Sequence, residues 1–230
     1  MSFLTDTDLK TIISSDVNCN DNDKLIISPF SENCVTPIGY DLRVGGTYVT
    51  TGKKDIKNVS DGEFIVLPPN STSLITTLEN IEMPKNRLYS GLIESKVSKV
   101  SQGLSHISTT VDPDWRGELL IAVHNHSSEK VSLKYGDTFC TIVFVKNESA
   151  STKKSGHDPG RRQLLLNQFA EISKKSKLKK LFLSFAPPFV IIGICAFIGY
   201  QMSLAGMTWA FSGMIALGAA IAQFVSAYLK

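Results

Sequence analysis

What this 230-residue chain has little of narrows its class before any motif is read. It has four cysteines, Cys19, Cys34, Cys140 and Cys195, with no Cys-x-x-Cys spacing among them. That argues against a disulfide framework and against a cysteine zinc site. Acidic side chains run short after residue 150: residues 151–230 carry 10 Lys and Arg against 2 Asp and Glu, whereas residues 1–150 carry 14 against 19. The net +3 of the whole chain therefore joins an acidic front of −5 to a basic back of +8. The longest absence is at the far end, where the 49 residues from Leu181 to Leu229 contain no Asp, Glu, Lys, Arg or His. A helix in a soluble domain normally keeps one polar face, and this run has none to offer.

A bilayer core takes roughly 20 apolar residues per helix, so the run predicts two transmembrane spans, about 181–200 and 208–228, joined by "QMSLAGM". "KKSKLKK" at Lys174–Lys180 precedes the first span and Lys230 follows the second. Positive flanks stay on the cytoplasmic side, so the N-terminal domain and the C-terminus are both expected there. The basic back is read as seeking membrane lipid, not DNA or RNA. The run also lies at the wrong end for a signal peptide. In the second span, Ser212, Ala216 and Ala220 form one line of small residues and Gly218, Ala222 and Ser226 another. Such stripes let helices approach closely, which predicts a packed hairpin that oligomerises. Pro187 and Pro188 are expected to kink the first span. Gln223 is the one side chain suited to an interhelical hydrogen bond, and no relay of charged groups is present.

The front reads differently. "GEFIVLPPNSTSLITTLENIEMP" and "GELLIAVHNHSSEKVSLKYGDTFCTIVFV" alternate short apolar runs with Pro, Asn and Gly. That spacing predicts many short strands in a sandwich or barrel-like fold. "LTDTDLKTII" predicts a short N-terminal helix capped by Thr5 or Asp6, with Leu9, Ile12 and Ile13 on its apolar side. The expected organisation is a β domain over 1–148, a polar linker over 149–160, a basic connector helix over 161–180, and the hairpin over 181–230. Leu165, Phe169 and Ile172 stand at helical spacing in the connector, which either lies on the membrane surface or extends the first span.

Five segments in fixed order carry a family resemblance: "LTDTDLKTII", "LIISPFSENCVTPIGYDLRVGG", "ITTLENIEMP", "GLSHISTTVDPDWRGELLIAVHNHS" and "LKYGDTFCTIVFV". Together, over about residues 3–147, they resemble the dCTP deaminase and dUTPase superfamily. The resemblance implies a mainly β fold, a distorted barrel called a β-clip, assembled as a homotrimer or higher homo-oligomer with nucleotide sites where subunits meet. It implies a structural role for Asp41 and Arg43 in "PIGYDLRVG". In "DPDWRGEL" it places Asp112 where the dUTPase branch orients an attacking water, a general-base role. It sets Trp115 beside the sugar and Arg116 beside it on the turn.

The departures matter equally. Where dCTP deaminases carry a proton-shuttling glutamate this chain has Ala122, and the zinc deaminase signature is absent as well. In the phosphate-gripping motif, read here as "KVSKVSQGL", Lys96 replaces an arginine and Ser98 stands for the second serine. Lysine keeps the charge and loses the bidentate fork. Thr141 stands where a glutamine would face base or phosphates, and the glycine-rich arm that closes over dUTP is missing. Lys96, Ser98, Lys99 and Arg116 still supply cations and hydroxyls for phosphate binding. His124 and His126 share a strand face and are read as a polar hairpin end, since no third metal ligand is in sight.

The expectation is a membrane-anchored protein of a bacterial inner membrane that binds a pyrimidine deoxynucleotide or a cyclic nucleotide and acts as an effector in antiviral defence. No cofactor is fixed by the sequence, and Mg2+ is the one expected if the ligand is a nucleoside triphosphate. The alternative is an active membrane-tethered dUTP or dCTP pyrophosphatase or deaminase.

Overall fold

A computed structural model describes residues 1–16, 21–51, 55–155, 161–207 and 209–228; within the helices, the side chains of 161–162, 172–187, 210 and 224–228 fall outside that description. The chain divides into two units, Met1–Ser173 and Lys174–Lys230.

The first unit is mainly β. A two-residue strand β1 (Ser2–Phe3) leads into helix α1 (Asp6–Ile12). Thr5 caps α1: its hydroxyl accepts from the Asp8 backbone N–H while the Asp8 carboxylate accepts from the Thr5 N–H, a reciprocal capping box. Leu9 is buried and Ile12 packs against the same core, as the apolar spacing predicts. Then come β2 (Ile13–Ser14), β3 (Leu25–Ser28), β4 (Val35–Thr36), β5 (Gly39–Thr50), β6 (Lys57–Asn58) and β7 (Phe64–Leu67). Strands β8 (Ser71–Glu82) and β9 (Tyr89–Ser95) are followed by a single helical turn α2 (Val97–Val100). The unit is completed by β10 (Leu104–His106), β11 (Thr110–Val111), β12 (Arg116–Asn125), β13 (Val131–Lys134) and β14 (Thr138–Lys146).

Twelve strands form one sheet whose main path is β10-β12-β8-β5-β14-β9-β11, with β1, β2, β3, β4 and β6 joined off it, while β13 and β7 pair separately. Alternation sets its two faces. In β12, Leu119, Ile121 and Val123 point into the core with Ile75, Ile81, Ile93 and Phe144, while Leu120, Ala122 and His124 take the opposite face. Gly45 marks an irregularity where β5 crosses β8: a Cβ there would meet the Thr77 carbonyl oxygen at 2.4 Å, so only glycine lets the strands approach.

The expected barrel is corrected in one respect: among the described residues the ladder is an open path and not a closed barrel. Both ends of the path, β10 and β11, belong to one short segment that leaves β12 at His106 and joins β9 at Thr110. At the gap, His106 Nε2 (2.9 Å) and Ser108 Oγ (2.9 Å) both donate to the Ile93 carbonyl, while backbone bonds from Ile107 to Ala122 and from Ile93 to Thr109, each 3.0 Å, tie the segment to either side.

Two helices follow, α3 (Arg161–Leu204) and α4 (Ala210–Tyr228). The connector and the first expected span are thus one continuous helix. Its opening turns belong to the first unit, where Leu166 and Ala170 bury against Val49, with Phe169, Ile56, Leu74 and Leu120 around them. The buried stripe lies one residue beyond the expected Leu165 and Phe169, because small Ala170 brings the helix onto the sheet while Leu165 stays exposed; Ile172 lies outside the described side chains. In α4, Gly218 and Ala222 are the buried small residues among those described, and a Cβ on Gly218 would meet Cys195 Cβ at 2.8 Å. Ser212, Ala216, Ala220 and Gln223 face outward, so one of the two expected stripes packs the pair and the other does not; Ser226 lies outside the described side chains.

The predicted transmembrane module is not met among the described residues, where no helix is long and apolar enough to cross a membrane.

Candidate nucleotide site

The sequence-predicted site residues fall into two groups at opposite ends of β9. The first surrounds Asp41. Strands β5 and β14 pair so that Thr141 stands directly opposite Asp41, and the Thr141 hydroxyl donates to Asp41 Oδ1 at 2.7 Å. Lys96, one residue past the end of β9, donates to Asp41 Oδ2. Both carboxylate oxygens are therefore occupied, Thr141 is turned to Asp41 instead of to an open cleft, and the Lys96 charge is compensated in place. Lys96 and Lys99 line a shallow cleft with Ser95, Ser105 and His106. Ser98 is exposed on α2 beside it.

Sequence reading missed Ser95, Ser105 and His106. His106 Nε2 faces a carbonyl, which only accepts, so that nitrogen carries a proton; in the neutral ring Nδ1 then accepts from the Ser95 hydroxyl. The glycine of "QGL" earns its place geometrically: Gly103 has φ +82° and a Cβ would come within 2.9 Å of Ser127 Cβ.

The second group is the turn between β11 and β12. The Trp115 backbone N–H donates to the Asp112 carbonyl at 3.0 Å, closing the turn. The Trp115 indole donates to the Gly117 carbonyl at 3.1 Å and its ring packs on the core. Asp112 and Arg116 are exposed at either end. Asp114 accepts from the Ser155 backbone N–H at 3.0 Å. Burial raises its carboxyl, but hydrogen bonding from Ser155 and the nearby Arg87 charge hold it below the ordinary range.

Register separates the two groups. Val111 stands opposite Gly91, five residues before Lys96, so Asp112 and Lys96 lie on the order of 17 Å apart along β9. Within one chain, the turn and the lysine cleft do not converge.

Other candidate positions are also placed. Ala122 faces away from the core beside Leu120 and His124, opposite Leu74 of β8. Arg43 donates Nε to fully buried Glu79 at 2.6 Å and Nη2 to the Pro29 carbonyl at 2.6 Å. Burial pushes the Glu79 carboxyl up despite those donors, and pushes the Cys140 thiol well up, which removes it as a nucleophile. His124 bonds Thr72 Oγ1 at 2.9 Å and His126 bonds Ser105 Oγ at 2.6 Å. Among the described residues no group of three metal-ligating side chains forms.

A β-built head carrying the ordered motifs defines a nucleotide-handling domain, and comparison with known proteins fixes the family. Residues 4–147, more than half of the chain, match the dCTP deaminase-like family profile. The chain belongs to that family. It is 38% identical over 146 residues to a dCTP deaminase of Thermococcus kodakarensis, covering 63% of this chain and 92% of that one. It is 34% identical over 144 residues to a probable deoxyuridine 5′-triphosphate nucleotidohydrolase of Sulfolobus islandicus rod-shaped virus 1, covering 63% of this chain and 84% of that one. Among solved structures it is similar to a 2′-deoxycytidine 5′-triphosphate deaminase from Agrobacterium tumefaciens (TM-score 0.48, 15% identity, 62% of this chain and 47% of that one). It is also similar to a mutant dUTPase from phage phi11 of S. aureus, in which a structural Mg(II) ion is coordinated (TM-score 0.40, 18% identity, 59% of this chain and 99% of that one). Family membership rests on the sequence match.

Proposed function

We propose that this chain is a membrane-attached member of the dCTP deaminase-like family whose head binds a pyrimidine deoxynucleotide, or a cyclic nucleotide, without deaminating it. The observation that carries the proposal is Ala122, at the position of the shuttling glutamate. A methyl group moves no proton, and deamination by attack of water needs one moved. Phosphate recognition falls to Lys99 and Ser98 at the cleft and to Arg116 at the turn, since the Lys96 charge is already answered by Asp41. One nucleotide spans both groups only if neighbouring copies supply one each, so a homotrimer is part of the proposal.

With a triphosphate, Mg2+ fits the turn: Asp112 offers one exposed carboxylate, and Mg2+ favours one or two carboxylates with phosphate oxygens and water. When bound, it neutralises phosphate charge. Attachment to lipid, with head and C-terminus on the cytoplasmic side of a bacterial inner membrane, is supported by the 49-residue charge-free run. It is also supported by the outward Phe189, Phe197, Leu204 and Trp209, the first and last of these 70% exposed. A sensor head joined to a membrane effector suits antiviral defence, a role proposed from that arrangement alone.

Thermal unfolding of the full chain in detergent with a panel of deoxynucleoside triphosphates and cyclic nucleotides tests the reading. A true ligand at 100 times its Kd adds about 2.7 kcal/mol; a panel with no shift contradicts nucleotide binding. The unbroken "TTVDPDWRGEL" favours a second reading, a pyrophosphatase with Asp112 as base. Turnover of dUTP or dCTP that is lost in Asp112→Asn would establish that one instead.

A further inference from the structure

The polar stretch after β14 is docked on the head. The Asn147 backbone N–H donates to the Leu88 carbonyl at 2.8 Å and its amide donates to Ser90 Oγ at 2.9 Å. The Ser151 N–H donates to the Arg87 carbonyl at 3.2 Å. The far end is held by one charge-assisted contact, Ser155 N–H to the Asp114 carboxylate. Asp114 belongs to the turn that carries Asp112 and Arg116. We propose that residues 147–155 form a latch: Asp114 holds Ser155 while the turn is empty and releases it when a nucleoside triphosphate occupies the turn. This rests on the nucleotide-binding reading above and names how that site is read out.

The mechanism is electrostatic competition. The Ser155 N–H needs the Asp114 carboxylate as its acceptor, and no second acceptor for it is described among the described residues. A triphosphate seated at Arg116, with its divalent cation at Asp112, brings a cation and strong acceptor oxygens within two residues of Asp114. The carboxylate turns to the cation, and the weaker neutral N–H loses its partner. The near end stays anchored at Asn147, away from the turn, so release is confined to the far end. Helix α3 begins at Arg161, six residues past Ser155. Freeing Ser155 therefore acts on the stretch that leads into α3, while Leu166 and Ala170 keep the helix start on the sheet.

Amide hydrogen exchange over 147–155 tests this in the full chain in detergent, with and without dCTP or dUTP and Mg2+, with thermal shift on the same samples reporting binding. In the native chain the Ser151 and Ser155 amides should exchange at least tenfold faster once nucleotide is bound. Ser155→Pro removes the donor from outside the turn, so it should give fast Ser151 exchange without nucleotide. Because coupling is reciprocal, it should also bind nucleotide more tightly. Asp114→Ala should likewise open the segment with no further change on nucleotide addition. Binding with unchanged exchange at 151–155 overturns the latch and leaves the nucleotide reading standing. Equal affinity in Ser155→Pro also overturns it. If no nucleotide binds, both fall.

Discussion

The Glu79 carboxylate is fully buried and takes both the Nε and the backbone N–H of Arg43, at 2.6 and 2.9 Å, while the same guanidinium reaches the Pro29 carbonyl. A charge in this setting is tolerated only with its partner. Glu79→Ala strands Arg43 and should cost about 3–5 kcal/mol in denaturant unfolding; a loss below about 0.5 kcal/mol, the size of a typical surface substitution, would show the pair is not structural. His124 is a second sensitive position. Its ring is held below the ordinary pKa first by burial and then by the His126 charge. The folded head prefers it neutral, so its contribution to stability is complete above about pH 6.5 and is lost as pH falls through the lowered value. The melting temperature should decline on acidification below that point, and His124→Gln should reduce the slope; an unchanged slope would assign the decline elsewhere.

At the scale of elements, the docking of α3 fixes a register that single substitutions can read. Leu166 is fully buried against Val49, whereas Leu165 is exposed. Leu166→Ala should cost about 2–5 kcal/mol and Leu165→Ala well under half of that; equal effects would contradict the observed face. Strand alternation, the Thr5 cap and the apolar side of α1 were all legible in the sequence, because each is local. The open ladder was not: it depends on where the 104–111 segment changes partner, and no periodicity records that. The Asp41, Lys96 and Thr141 cluster shows the same limit. Each residue was singled out, yet their mutual engagement comes from β5, β9 and β14 lying side by side, a contact between positions up to 100 residues apart. His106 was missed because a lone histidine in a polar strand gives no spacing signal.

For the whole molecule, family and sequence pull in different directions: the chain belongs to the dCTP deaminase-like family, and the side chain of Ala122 has no proton to move in a deamination. Distance adds a constraint, since the turn and the lysine cleft are separated along β9, so the proposed nucleotide would have to meet both between neighbouring copies. The proposed latch then links occupancy of the turn to the segment that precedes α3. The most direct test is to incubate the full chain with labelled dCTP and dUTP in the presence of Mg2+ and analyse both the bound fraction and the recovered nucleotide. Retention of dCTP or dUTP by the protein, recovered chemically intact, is the predicted result. Conversion of dCTP to a uracil nucleotide by the native chain would contradict it.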